Sequence, residues 1–187
     1  TQTRWSERVV GLTDAGDLTF GLAAVALGQV LPDAPVGSVL EHSPSQEALG
    51  SEIGARIVVD GGAALLIDYG RGVPGFGDTL QALRRHVKES PLANPGEADL
   101  TVHADFPAVL GAAAREGAAT TQVLGQGEFL VRLGIGARAE ALTAARPDRA
   151  EVIERQLERL VSPDQMGELF KAVCIHTPGL VPPGFET

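Results

Sequence analysis

The chain has 187 residues, 44% of them apolar and 21% charged, enough for one ordinary domain with a buried core and too apolar for wholesale disorder. Its formal charge of -9, from 24 acids against 15 bases with no basic run, argues against a phosphate backbone or an anionic membrane surface as partner. The one cysteine, Cys174, excludes a disulfide framework and a multi-cysteine zinc cluster, which fits a reducing, cytoplasmic setting.

Apolar runs such as Ala63 to Ile67 fall far short of the roughly 20 residues a membrane-spanning helix needs. No basic segment followed by an apolar one opens the chain, so no signal peptide is read there. The only methionine is Met166, so Thr1 is not a translational start, and the expectation is a processed or truncated chain.

Arg8 to Leu12 and Leu18 to Leu22 flank Thr13-Asp14-Ala15-Gly16-Asp17, whose Asp and Gly supply turn chemistry, so a β-hairpin lobe is expected over residues 1–40. Pro32, Pro35 and Gly37 punctuate its connector. An α/β domain should then fill residues 41–187. Ser43-Pro44-Ser45-Gln46 reads as a capping box with proline at the first helical position, opening a helix with Leu49, Ile53 and Ile57 on one stripe. Gly61-Gly62 ends it.

Ala63 to Ile67 is continuously apolar, the pattern of a strand covered on both faces in a parallel sheet. After a glycine-rich loop, Asp78-Thr79-Leu80-Gln81 reads as a second capping box, predicting a helix that carries Leu80, Leu83 and Val87. Leu100 to Asp105 alternates as a strand, with His103 and Asp105 on one face. Asp105 is placed to cap a helix with Pro107 in its first turn. Thr120 to Leu124 is a further expected strand, Glu128 to Leu133, Arg138 to Ala145 and Asp148 to Val161 are expected helices, and Leu169 to Ile175 is a late strand. Helices alternating with buried strands predict one α/β layer architecture.

Several groups suggest chemistry, each beside a plainer reading. Gly70-Arg71-Gly72-Val73-Pro74-Gly75 has the spacing of a dinucleotide loop, but Pro74 removes an amide and Asp78 puts a carboxylate where the phosphate would sit, so it reads as a decoy. Asp68 and Tyr69 stand at the carboxyl end of the central strand, where open α/β sheets build their sites; satisfying loop amides and packing over the sheet are the alternatives. His103 and Asp105 suit acid-base work, or else a core histidine and a helix cap, and without a third ligand they make no metal site. His86, among Arg84, Arg85 and Lys88, reads as solvated surface. Cys174, in an apolar run, reads as inert core.

The blocks Gly62-Ala63-Ala64-Leu65-Leu66-Ile67-Asp68-Tyr69-Gly70, Gly77-Asp78-Thr79-Leu80-Gln81-Ala82 with His86, and Pro95-Gly96-Glu97-Ala98-Asp99-Leu100-Thr101 resemble the MidA-like S-adenosylmethionine-dependent methyltransferases. The resemblance continues through His103, Asp105-Phe106, Gln126-Gly127-Glu128-Phe129-Leu130, Leu133-Gly134-Ile135 and Met166-Gly167-Glu168-Leu169-Phe170-Lys171. Val123-Leu124-Gly125 and Ala104 depart from the family pattern. The resemblance implies the C-terminal part of a doubly wound class I methyltransferase sheet, Rossmann-like, with Ala63 to Ile67 as its fifth strand. It implies S-adenosyl-L-methionine as cofactor, held by a loop upstream of Thr1. The implied acceptor is protein, arginine in a respiratory complex I subunit for the mitochondrial member.

Holding a guanidinium while a methyl group is transferred calls for carboxylates that accept its fork bidentately. Asp68, Asp105 and Glu128 are the carboxylates nominated for that surface, and Tyr69 and His103 are placed to wall the pocket; Asp68, Asp105 and His103 are the candidate catalytic residues, and Tyr69, Gln126 and Glu128 the candidate substrate-binding residues. A non-catalytic α/β binding or assembly module is the alternative, and a nicotinamide-dependent oxidoreductase a weaker one. An open sheet edge leads to an expectation of self-association as a homo-oligomer.

Overall fold

The computed structural model describes residues 5–25 and 31–186; the remaining parts of the expected lobe, residues 1–4 and 26–30, lie outside the described residues. In chain order come β1 (Ser6–Leu12), β2 (Leu18–Ala24), α1 (Pro44–Asp60), β3 (Ala63–Arg71), β4 (Gln81–Arg84), β5 (Val87–Glu89), β6 (Asp99–Thr101) and β7 (Ala104–Asp105). They are followed by α2 (Phe106–Arg115), β8 (Ala119–Thr120), β9 (Leu124–Gly125), α3 (Gln126–Arg132), α4 (Ile135–Ala145), a 3-10 turn (Pro147–Arg149), α5 (Ala150–Val161), α6 (Met166–Leu169) and β10 (Phe170–His176).

Two compact units emerge. The first joins Thr1–Glu41 to Gly75–Val102, so the hairpin lobe takes in a second stretch of chain; the second joins His42–Pro74 to His103–Thr187.

In the first unit, β1 and β2 pair antiparallel about the Thr13 to Asp17 turn, closed by Thr13 N–H donating to the Asp17 carbonyl at 2.8 Å. The expected helix after Asp78 is absent. Its residues form the antiparallel β4–β5 hairpin, and β4 pairs also with β6. Leu80, Leu83 and Val87 have helical spacing, but strand alternation buries Ala82 completely instead. Nor does Asp78 act as a cap. Its two carboxylate oxygens accept both terminal nitrogens of Arg8 at 2.9 Å, a bidentate pair that holds its carboxyl below the usual range and raises the Arg8 guanidinium. Arg8 also lies 5.3 Å from the ring centre of Phe20.

In the second unit, the sheet order is β7-β3-β10-β8, with β9 also on β10. Only β3 and β7 run parallel; β10 is antiparallel to β3, β8 and β9. The expected single strand Leu100 to Asp105 is therefore split. β6 serves the first unit's sheet and β7 the second's, where it meets Gly70 and Arg71. The expected strand Thr120 to Leu124 is likewise two short pieces on one partner, because the Thr121 hydroxyl takes the Cys174 N–H at 2.9 Å between them.

α1 and α2 cover one face of the sheet. Ile57, Phe106, Val109, Leu110 and Ala113 pack there with Val173 and Ile175, and Ala64 and Leu66 of β3 join them. The close approach rests on Gly50 and Gly54 of α1. A methyl group on Gly50 would meet the Val109 carbonyl oxygen at 2.3 Å, so a larger residue would drive the helices apart. On the other face, Leu124, Phe129 and Phe185 cover Ala172 and Cys174 of β10. β3 is not covered there: Leu65 is 53% and Ile67 44% exposed, which corrects the expectation of a strand buried on both faces. Their apolar run arises from a half-covered strand. Among the described residues the edge of β3 from Ala63 to Tyr69 opposite β10 has no strand partner.

Candidate functional site

The carboxyl end of β3 carries the predicted cluster. Alternation along the strand puts Tyr69 on the side of Leu65 and Ile67, and Asp68 on the opposite side with Ala64 and Leu66. The Asp68 carboxylate turns back on the chain and accepts the Tyr69 N–H at 2.8 Å. Its side chain is exposed. Across the antiparallel ladder Asp68 faces Lys171 and Tyr69 faces Phe170.

Tyr69 stands between two rings. Its centre is 5.7 Å from that of His103 and 5.7 Å from that of Phe170, at interplanar angles of 76° and 75°, both edge-to-face. His103 reaches this position because β7 enters parallel to β3, with Ala104 opposite Gly70 and Asp105 opposite Arg71. The approach is tight at Gly70, where a methyl group would lie 2.3 Å from the Ala104 carbonyl oxygen.

Asp105 does three things at once. Its carboxylate caps α2 by accepting the Ala108 N–H at 3.2 Å, and its own N–H donates to the Gln46 side-chain oxygen at 2.7 Å. Its other oxygen lies 3.7 Å from Arg71 Nε, an ion pair looser than a hydrogen bond, with both side chains largely buried. Sequence reading missed Arg71, because only the β3–β7 register brings it to Asp105. Gln46 was expected to reach back to its own helix start; the Ser43 hydroxyl does accept the Gln46 N–H at 3.4 Å, but the Gln46 side chain serves Asp105 instead.

Gln126 and Glu128 lie on α3 and are engaged with helices. Buried Gln126 donates to the Leu160 carbonyl at 2.9 Å, and Glu128 accepts Arg132 at 2.6 Å one turn along. Lys171, beside Asp68 in the ladder, is paired with Glu168. Cys174 is 3% exposed, and burial pushes its thiol up, as expected of core. The loop after Gly70 leads to strand β4 and not to a helix, as a decoy would. Among the described residues no group of three or more metal-ligating side chains is assembled, and no helix is long and apolar enough to cross a membrane. A shallow groove of about 300 Å³ lies between α4 and α5, lined by Leu142, Val152 and Ile153 with Arg146, Arg149 and Gln156.

A family model described as "Putative S-adenosyl-L-methionine-dependent methyltransferase" matches residues 1–124. The protein arginine methyltransferase NDUFAF7 homolog, mitochondrial, of Drosophila melanogaster is 40% identical over 77% of this chain and 33% of its own length. The Xenopus tropicalis protein arginine methyltransferase NDUFAF7, mitochondrial, is 33% identical over 91% and 41% respectively. A crystal structure from Burkholderia thailandensis, described as a "likely methyl transferase" bound to S-adenosyl-homocysteine, superposes with a TM-score of 0.81 at 27% identity, covering 100% of this chain and 49% of that one. The chain thus spans a third to a half of the length of the relatives it matches. These relatives support a class I methyltransferase-like fold. The curated relatives are mitochondrial proteins, which overturns the expected cytoplasmic placement: a lone buried thiol excludes a disulfide framework but does not tell one reducing compartment from another.

Proposed function

This chain belongs to the S-adenosyl-L-methionine-dependent methyltransferase family whose model it matches, and from that premise we propose that its protein methylates arginine in a protein acceptor. One observation supports the placement of the acceptor: the edge-to-face pair of Tyr69 and His103 at the end of β3, with Asp105 two residues after His103 on β7, opposite Arg71. Aromatic rings next to a carboxylate are the surroundings a guanidinium favours, a ring face for its plane and an acceptor for its N–H fork.

In this reading Tyr69 and His103 wall the acceptor side chain, and Asp105 holds the guanidinium. Its bond to Arg71 is loose enough to leave that carboxylate able to accept further donors. His103 receives the proton the guanidinium gives up. Asp68, an exposed residue on the other side of β3, helps from over the strand end. Gln126 and Glu128 act from α3 as braces of the acceptor surface, since both are already held by Leu160 and Arg132.

S-adenosyl-L-methionine supplies the methyl group. The α4–α5 groove does not suit this donor, because it brings Arg146 and Arg149 and no carboxylate to a sulfonium cation and a ribose diol. The donor's contacts are therefore assigned to the part of the relatives' length that this chain does not span. A respiratory complex subunit is the proposed acceptor protein, on the strength of the mitochondrial relatives.

The experiment is transfer of tritium from labelled donor by the full-length protein to a mitochondrial protein extract, followed by acid hydrolysis. Label in methylarginine supports the reading. Label in another residue, or none, rejects it.

A further inference from the structure

The tip of the β4–β5 hairpin holds a conformation that works against the identity of its residues. Arg85 and His86, at φ 51° and 65°, are the only non-glycine residues with positive φ among those described. They join Arg84 to Val87, which face each other across the ladder, so both central positions of a two-residue turn are left-handed. Asn-Gly or Asp-Gly adopts that turn with least strain. Folding alone thus favours other residues here.

The side chains go to solvent. Arg85, His86, Val87 and Lys88 are all exposed. Neighbouring Arg84 is taken by Glu89 and Glu97, at 3.1 and 3.3 Å, whereas Arg85 and Lys88 have no ion pair among the described residues. In a chain of net charge -9, the turn thus carries exposed basic side chains with no ion-paired acid among the described residues.

We propose that this hairpin tip is a docking point for an acidic segment of a partner polypeptide. The Arg85 guanidinium takes a carboxylate through its planar fork, and His86 and Lys88 add donors beside it. The short turn presents them on ordered backbone, so little further ordering accompanies binding. The proposal rests on the methyltransferase reading only in taking the partner to be the methyl-acceptor protein.

The test measures binding of a fluorescein-labelled hexaglutamate peptide to the full-length protein, with no methyl donor present, so its outcome is independent of catalysis. The double variant Arg85→Asn, His86→Gly should bind roughly fivefold more weakly or worse, with a melting temperature equal to or above that of the parent. Arg85→Gln, which leaves the backbone unchanged, should also weaken binding. Unchanged affinity in these variants, or a lower melting temperature in the double variant, overturns the proposal. So does an oligonucleotide that displaces the peptide at lower concentration than free hexaglutamate does, since that marks phosphate recognition.

Discussion

The Gln46 side-chain oxygen accepts a 2.7 Å hydrogen bond from the backbone N–H of Asp105, 59 residues away, and so ties the first turn of α1 to the residue that caps α2. Three segments of chain are fixed at one point by it: the helix start, the β7 strand beside β3, and the α2 cap. Removing the acceptor leaves a part-buried N–H without its partner. Gln46→Ala should cost about 1–2 kcal/mol in urea unfolding. It should also lower kcat in the full-length protein with little change in KM for the acceptor, because the carboxylate loses its orientation; an unchanged kcat would separate this brace from the site.

Asp105→Asn tests the charge apart from the cap, since asparagine caps a helix about as well as aspartate. Folding should change little, while methyl transfer falls by at least about a hundredfold. Asp68→Asn, on the opposite side of β3, should fall less. The reverse order of the two losses would make Asp68, and not Asp105, the carboxylate that holds the acceptor.

Gly50 sets how closely α1 and α2 meet. Alanine raises helix propensity by about 1 kcal/mol, yet its methyl group would meet the Val109 carbonyl oxygen at 2.3 Å. Overpacking should win, with Gly50→Ala destabilising the second unit by about 1–3 kcal/mol in denaturant unfolding. A stabilised variant would show that the helices separate at no cost.

The Arg8–Asp78 pair gives a pH signature. Arg8 depresses the Asp78 carboxyl, so its contribution is present above the ordinary aspartate range and is lost as pH falls through the lowered value, that is, below about pH 4. Both side chains are more than a third exposed, so the loss should stay under about 1 kcal/mol. Protection factors of β1 and β2 amides, with the intrinsic pH dependence of exchange divided out, should be slightly lower at pH 3 than at pH 5. The difference should vanish in Asp78→Asn.

Glu128→Gln removes an exposed pair one turn long on α3 and should cost no more than about 0.5 kcal/mol, with turnover unchanged within twofold. A large loss of acceptor affinity would make Glu128 a contact and not a brace.

Local signals were legible. The Thr13 to Asp17 turn, the Ser43 cap with Pro44, the Asp105 cap with Pro107 and the apolar run into β10 each depend on neighbours in sequence, and each stands in the structure. Misreadings arose where pairing is remote. Leu80, Leu83 and Val87 mimic a helical stripe, and the turn that breaks it uses Arg85 and His86 where no glycine or asparagine announces it. The ion pair of Arg71 with Asp105 follows only from the parallel register of β3 with β7. The exposed face of β3 was hidden because a half-covered and a fully covered apolar run read alike.

The destination of the methyl groups tests the placement of the acceptor most directly. Full-length protein and its Tyr69→Ala and Asp105→Asn variants, each given tritiated donor and a mitochondrial extract, should yield labelled methylarginine with the parent alone, with Asp105→Asn melting near the parent and Tyr69→Ala lower but still folded at the assay temperature. Equal methylarginine labelling by either variant would contradict the placement of the acceptor at Tyr69, His103 and Asp105.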